Sequence, residues 1–75
     1  MKIIVVSDSH GEVELLSKIL LFYQDADYFF HLGDSELPPH MLQGYLSVKG
    51  NCDYFEYPEF IDLELPFGKV HLEHG

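Results

Sequence analysis

Cationic side chains are scarce in this sequence of 75 residues. Lysine and arginine together number 4, against 13 aspartates and glutamates, and the formal net charge is −9. Proteins that bind DNA or RNA neutralise phosphates with lysine and arginine, so this charge argues against a nucleic-acid partner. It argues equally against an anchor on an anionic membrane surface.

Long apolar runs and cysteine pairs are also lacking. The longest apolar runs, Ile3–Val6 and Ile19–Tyr23, are far shorter than the roughly 20 residues that span a bilayer. The first run is also too short for a signal peptide. The single cysteine, Cys52, excludes an internal disulfide framework and a zinc site made only of cysteines. We therefore predict a cytoplasmic protein with no membrane partner, and the length predicts one small domain, residues 1–75.

The apolar pattern of the first half predicts an α/β fold. Residues 2–7 read as a strand, and its β-branched run is typical of a central strand buried on both faces of a parallel sheet. Ser9 and Glu12 match a capping box, which predicts a helix that begins near residue 10 or 11 and ends near Gln24. Residues 28–32 form the next predicted strand. Strand, helix and strand over about 30 residues indicate a parallel, right-handed βαβ unit.

The second half predicts further strands and a hairpin. A third strand is expected at residues 45–48. Residues 60–65 and 69–73 alternate between apolar and polar side chains around the turn Pro66-Phe67-Gly68, which is typical of an antiparallel hairpin.

Polar side chains follow each predicted strand. Asp8 and His10 follow the first strand, Asp34 the second and Asn51 the third, and the hairpin delivers His74 just past its end. The carboxyl ends of neighbouring parallel strands lie along one edge of a sheet, where ligands bind. Such a mixed oxygen and nitrogen set suits manganese, iron or zinc better than calcium or magnesium alone.

Each of these features also has a purely structural interpretation. Asp8-Ser9 is a common helix N-cap, and Gly33-Asp34 and Gly50-Asn51 are common turn pairs. The ordered set, in which every member follows a strand, is much more specific than any member alone.

The ordered set resembles the motifs of the calcineurin-like metallophosphoesterases, most closely those of their small single-domain bacterial and archaeal phosphodiesterase branch. The residues that carry the resemblance are Ile3–Gly11, His31–Asp34, Val48–Asp53 and His71–Gly75. They span nearly all of this chain but only about the N-terminal half of a usual family member. The resemblance implies a truncated metallophosphoesterase-type α/β sandwich.

The resemblance also implies a site and a reaction. Asp8 and His10 would hold a first divalent metal ion, Asp34 would bridge two ions, and Asn51 and His74 would hold the second. Manganese is the first expectation for both ions, with iron, zinc, nickel or cobalt as alternatives. A hydroxide that bridges the two ions would then attack the phosphorus of a small phosphate ester, with phosphodiester hydrolysis as the expected reaction.

Two departures from the family pattern affect these expectations. Cys52 replaces the histidine of the family's G-N-H-[DE] motif, so the motif implies no general acid here. We expect Cys52 to be a small buried residue and Asp53 to orient the loop. The chain also stops at His74-Gly75, before the family's later G-H-x-H histidines. This predicts a fragment, or a second copy or another chain that supplies the remainder.

Two other functions compete with the phosphoesterase hypothesis. The first is a catalytically inactive metal-binding or dimerisation remnant of the same fold. The second is a receiver-like signalling domain with Asp8 and Glu12 in an acidic pocket, which leaves His10, Asn51 and His74 unexplained. Of the remaining histidines, His31 is expected to be structural or to support the site, and His71 to point outward from its strand.

Overall fold

The computed structural model describes residues 1–53 and 55–74. Its elements, in chain order, are β1 (Ile3–Val6), α1 (Val13–Phe22), β2 (Tyr28–His31), a short 3₁₀ helix (Pro39–Met41), β3 (Leu46–Ser47), β4 (Phe60–Leu65) and β5 (Gly68–Glu73). No helix in these two ranges is long and apolar enough to cross a membrane.

The strands form two separate sheets. In the first, β1, β2 and β3 lie in that order and are parallel, with His31 of β2 opposite Val6 on one side and Ser47 on the other. In the second, β4 and β5 are antiparallel, with Ile61 opposite Leu72. The predicted βαβ unit, the third strand and the hairpin are all present, and the α/β fold class is confirmed.

Helix and hairpin cover opposite faces of the parallel sheet. Leu16 of α1 is buried with Leu37 and Leu42 in one apolar cluster. Phe30 of β2 is buried in a second cluster with Val48 and with Leu72 of β5. Successive residues of a strand point to opposite faces, so Phe30 faces the hairpin while the next residue, His31, faces the helix side. The layers are therefore helix, parallel sheet and hairpin.

The helix begins later than the capping box predicts. Its N-cap is Glu12, with no side-chain hydrogen bond, and the Ser9 hydroxyl lies 2.9 Å from His31 Nε2 instead. The predicted start near residue 10 or 11 is wrong because His10 and Gly11 have φ values of 44° and 82°, in the left-handed region that ends a right-handed helix. The helix also ends at Phe22 rather than Gln24.

The prediction that the first strand is central and buried on both faces is wrong. The central strand is β2, whereas β1 lies at the edge of the three-stranded sheet. Val5 is 54% exposed because it lies outside the cluster that the hairpin covers.

Candidate metal centre

Three of the five predicted ligands meet at the carboxyl edge of the parallel sheet. Asp8 follows β1, Asp34 follows β2 and His74 follows β5. Each offers one ligand atom, and these atoms all lie within 4.8 Å of one another. His74 Nε2 lies 3.4 Å from Asp34 Oδ2. Two carboxylates and one imidazole at this spacing form a donor set that fits a divalent cation.

The backbone orients His74 toward this cluster. Its Nδ1 lies 2.6 Å from the carbonyl oxygen of Leu32, 42 residues earlier in the chain. A carbonyl only accepts hydrogen bonds, so Nδ1 carries the proton and donates it. In the neutral ring, Nε2 therefore presents its lone pair toward Asp34. A metal-binding histidine is usually held in this way, by a hydrogen bond from its other nitrogen.

Asp34 is the buried member of the cluster, with 6% of its surface exposed. Its Oδ1 accepts a hydrogen bond of 2.7 Å from the backbone N–H of Cys52, and its Oδ2 faces His74. A buried carboxylate is unfavourable unless hydrogen bonds or a cation compensate for its charge. A divalent ion between Asp34 and its neighbours would provide that compensation, and the residues present fit such an ion.

Two glycines allow the three loops to approach each other this closely. A Cβ atom on Gly33, whose φ is +106°, would lie 2.7 Å from the Gly50 backbone and 2.9 Å from His74 Nδ1. A Cβ atom on Gly50 would collide with the Asp34 side chain and backbone nitrogen. Larger residues at these positions would push Asp34 and His74 apart, so both glycines serve the geometry of the cluster.

His10 lies beside the cluster rather than inside it. Its Nε2 is 4.0 Å from Asp8 Oδ1, while its Nδ1 is 2.5 Å from Glu36 Oε2. The hydrogen bond with Glu36 raises the pKa of His10 above its usual value of 6.5. A hydrogen bond from the Ser7 hydroxyl, 2.9 Å away, lowers the pKa of Asp8. The contact with Glu36 leaves Nε2 of His10 on the side of Asp8, so these two residues could hold one ion together.

Asn51, the remaining predicted ligand, is exposed and lines an open cleft of about 430 Å³ together with His74. The cleft runs between the loop after β3 and the hairpin, and Lys49 and Phe60 also line it. Asn51 and His74 therefore line the same cleft from its two sides.

Asp53 ties the loops of the site together through the backbone. Its Oδ2 accepts hydrogen bonds from the N–H groups of Asp34, at 2.9 Å, and Gly50, at 2.8 Å. Its Oδ1 accepts a third from the N–H of Glu36, at 2.8 Å. Burial raises the pKa of this carboxyl, but the three hydrogen bonds outweigh burial, and the net pKa lies below 3.8. These contacts agree with the expectation that Asp53 orients the loop.

Cys52 is exposed, so the expectation that it is buried is wrong. The loop after β3 turns at residues 51 and 52, and it is Asp53 that occupies the buried position. The negative charge of Asp34 raises the pKa of the Cys52 thiol, which keeps the thiol protonated and weakly nucleophilic.

Left-handed backbone conformations are concentrated at the site. Within residues 1–53 and 55–74, the non-glycine residues with positive φ are Asp8, His10, Asp34 and Glu36, at 54°, 44°, 60° and 57°. Such conformations are uncommon outside glycine and persist where surrounding contacts hold them. Glu36 was not among the predicted site residues. The sequence feature that could have indicated Glu36 is its place two positions after Asp34, at the end of a predicted strand.

Comparison with known proteins identifies relatives of the chain. The family model described as the calcineurin-like phosphoesterase superfamily domain matches residues 1–75. The chain is 35% identical over 79 residues to the probable metallophosphoesterase YsnB of Bacillus subtilis strain 168, covering 100% of this chain and 47% of that protein. It is also similar to the crystal structure of a conserved uncharacterized protein, a predicted phosphoesterase from Streptococcus pneumoniae TIGR4. That match has a TM-score of 0.88 and 42% identity, and covers 97% of this chain and 44% of the other. The chain thus spans less than half the length of both relatives.

Proposed function

The chain belongs to the calcineurin-like phosphoesterase superfamily, and we propose that it is a metal-dependent phosphoesterase that hydrolyses small phosphodiesters at a two-metal centre. The observation that carries this proposal is the convergence of Asp8, Asp34 and His74, whose ligand atoms lie within 4.8 Å of one another at the ends of three strands. The names of the relatives, a probable metallophosphoesterase and a predicted phosphoesterase, support the reaction class.

The proposed ligands divide between two ions, with manganese as the first choice. Asp8 and His10 would hold one ion, Asn51 and His74 would hold the other, and Asp34 would contribute to both. One oxygen of Asp34 accepts the Cys52 N–H and the other faces His74. Bound there, divalent ions would activate a water molecule as the nucleophile and neutralise the phosphate oxygens.

The residues of the chain prepare the site for that chemistry. The Leu32 carbonyl orients His74 so that Nε2 faces Asp34, and Glu36 orients His10 in the same manner. Asp8, Asp34 and Glu36 make the bare site strongly negative, which repels an anionic ester. The ester is therefore expected to bind only where cations have reversed the local charge.

A hydrolysis assay tests the proposal. The purified 75-residue chain receives excess Mn²⁺ and either an aryl phosphodiester or the matching aryl phosphomonoester, with and without a chelator. We expect chelator-sensitive hydrolysis that is faster with the diester. Asp34→Asn should reduce hydrolysis to the level seen with chelator, because it removes the central negative charge. Asp25→Asn, an exposed carboxylate paired with Lys2, is the matched control and should behave as wild type.

Two results would count against the proposal. Wild-type protein that binds Mn²⁺ but hydrolyses neither ester would favour the alternative function, an inactive metal-binding remnant of the fold. Hydrolysis that survives both chelator and Asp34→Asn would place the reaction outside this centre.

A further inference from the structure

We propose that His31 is a positioning residue that sets the metal affinity of the centre. Its imidazole joins the loop that carries Asp8 and His10 to the loop that carries Asp34, through one hydrogen bond on each ring nitrogen. The inference rests on the proposed function in one respect only, namely that this centre binds a divalent ion.

His31 is completely buried at the end of β2, with 0% of its surface exposed. Its neighbours across the sheet are Val6, two residues before Asp8, and Ser47 of β3. A buried polar ring requires hydrogen-bond partners, because an unpaired one carries a large desolvation penalty. The partners of His31 come from both ligand-bearing loops.

The hydrogen bonds determine which nitrogen carries the proton. The backbone N–H of Gly33 lies 3.1 Å from Nδ1 and can only donate, so Nδ1 is unprotonated. The ring proton therefore resides on Nε2, which donates to the Ser9 hydroxyl oxygen at 2.9 Å. One neutral tautomer satisfies both bonds, and burial lowers the pKa of His31, which favours that neutral form.

Ser9 is the part of the first loop that this bond restrains. It lies between Asp8 and His10, whose left-handed conformations need support from their surroundings. Backbone hydrogen bonds of 3.0 Å, from Asp8 N–H to the Gly33 carbonyl and from His10 N–H to the Asp34 carbonyl, run beside it. The Ser9 side chain adds the contact that ties the middle of this loop to β2. Without it, Asp8 and His10 can relax away from Asp34.

The two bonds can be removed separately. Asparagine places its amide oxygen near the position of Nδ1, so His31→Asn keeps an acceptor for the Gly33 N–H and loses the bond to Ser9. Glutamine places its amide nitrogen near the position of Nε2, so His31→Gln keeps a donor for Ser9. Ser9→Ala removes the same bond from the other side without altering the buried ring, and Ser17→Ala on the exposed face of α1 is the matched control.

The experiment measures Mn²⁺ binding to each 75-residue variant by isothermal titration calorimetry, with urea unfolding of the metal-free proteins in parallel. We expect Ser9→Ala and His31→Asn each to weaken Mn²⁺ binding about 10-fold, the effect typical of losing a residue that orients metal ligands. The double variant should be no weaker than either single variant, because both remove one bond. His31→Gln keeps the bond to Ser9 and loses the bond to Gly33, so it should bind Mn²⁺ more tightly than His31→Asn. Ser17→Ala should bind Mn²⁺ as tightly as wild type.

Other outcomes would overturn the inference. If Ser9→Ala binds Mn²⁺ as tightly as wild type while His31→Asn and His31→Gln lose stability equally, His31 is only a core residue. A ¹⁵N spectrum showing His31 protonated on Nδ1 would contradict the hydrogen-bond assignment. Wild type that binds Mn²⁺ without hydrolysis would refute the proposed function alone, whereas wild type that does not bind Mn²⁺ would refute both.

Discussion

Asp53 contributes to the site without belonging to the ligand cluster. Its carboxylate accepts three backbone hydrogen bonds, from Asp34, Glu36 and Gly50, and so joins the loop after β2 to the loop after β3. Hydrogen bonds to a charged group stabilise a protein more than those between neutral groups. The position of Asp34 therefore depends on a residue 19 positions away in the chain.

We predict that Asp53→Asn lowers the free energy of unfolding by about 2 kcal/mol, because an amide cannot accept all three hydrogen bonds and its NH₂ group meets a backbone donor. Urea unfolding at pH 7 measures the change. Glu64→Gln, at an exposed position of the hairpin, is the control and should change stability by less than about 0.5 kcal/mol. An equal effect of the two substitutions would contradict the role given to Asp53.

The lowered pKa of the Asp53 carboxyl predicts that its contribution to stability is lost in acid. Because the pKa of Asp53 is lower in the folded protein than in the unfolded chain, its stabilisation is present above the unfolded pKa and is lost as pH falls through the folded pKa. The stability difference between wild type and Asp53→Asn should therefore shrink below about pH 4.

The sequence predicts the positions of some site residues and not of others. Asp8 and Asp34 were predicted as neighbours because the carboxyl ends of parallel strands share an edge, and His74 because the hairpin delivers it just past a strand end. Glu36 and the contact between Ser9 and His31 were not predicted, because they depend on the direction in which side chains point after the loops fold.

At the scale of single elements, the hairpin carries a charged cluster on its outer face. His71 of β5 is exposed, as expected, and its ring nitrogens lie 2.5 Å from Asp62 Oδ1 and 3.2 Å from Glu73 Oε1. Phe60 stacks on its ring. Hydrogen bonding to Asp62, and then to Glu73, raises the pKa of His71 above 6.5.

We predict that His71 stabilises the hairpin more in mild acid than in base. A pKa raised on folding means that the stabilisation is fully present below the unfolded pKa, about 6.5, and is lost as pH rises through the folded pKa. Urea unfolding of wild type and His71→Gln should therefore differ more at pH 5.5 than at pH 9. Equal differences at the two pH values, or an NMR titration of His71 with a midpoint below 6.5, would contradict this.

The boundaries of the helix show where local patterns mislead. The spacing of Ser9 and Glu12 is typical of a capping box, yet Ser9 binds His31 and the helix begins at Val13. The left-handed conformations of His10 and Gly11 separate Ser9 from the first turn of the helix, so its hydroxyl bonds His31 and does not cap the helix.

At the scale of the whole molecule, the parallel sheet has an edge, formed by β1, with no neighbouring strand in the described ranges. In the described ranges, β1 pairs only with β2. Val5 on that edge is 54% exposed, and Leu21 and Phe22 of α1 are 67% and 80% exposed. An unpaired edge with apolar side chains is a template for pairing with another chain.

We predict that the purified 75-residue chain self-associates through β1. Sedimentation velocity over a range of protein concentrations should show dimers or larger species that become more abundant with concentration. Val5→Lys should shift the distribution toward monomer, because a charged side chain on an edge strand opposes pairing. Phe67→Lys removes an exposed aromatic residue from the hairpin turn and should leave association unchanged. A monomer at every concentration would show that β1 does not pair.

The sequence by itself determined the fold class, the order of the strands along the chain and the chemical types of the residues at the strand ends. These follow from local apolar periodicity and from the topology of parallel sheets. Only the tertiary structure decided that β2 is the central strand, that Asp53 is the buried link between loops, and which nitrogen of each histidine faces the site. Those features arise from contacts such as His31 with Ser9 and His74 with Leu32, which join residues 22 and 42 positions apart. Such contacts depend on sheet register and on the packing of the hairpin, neither of which a local pattern encodes.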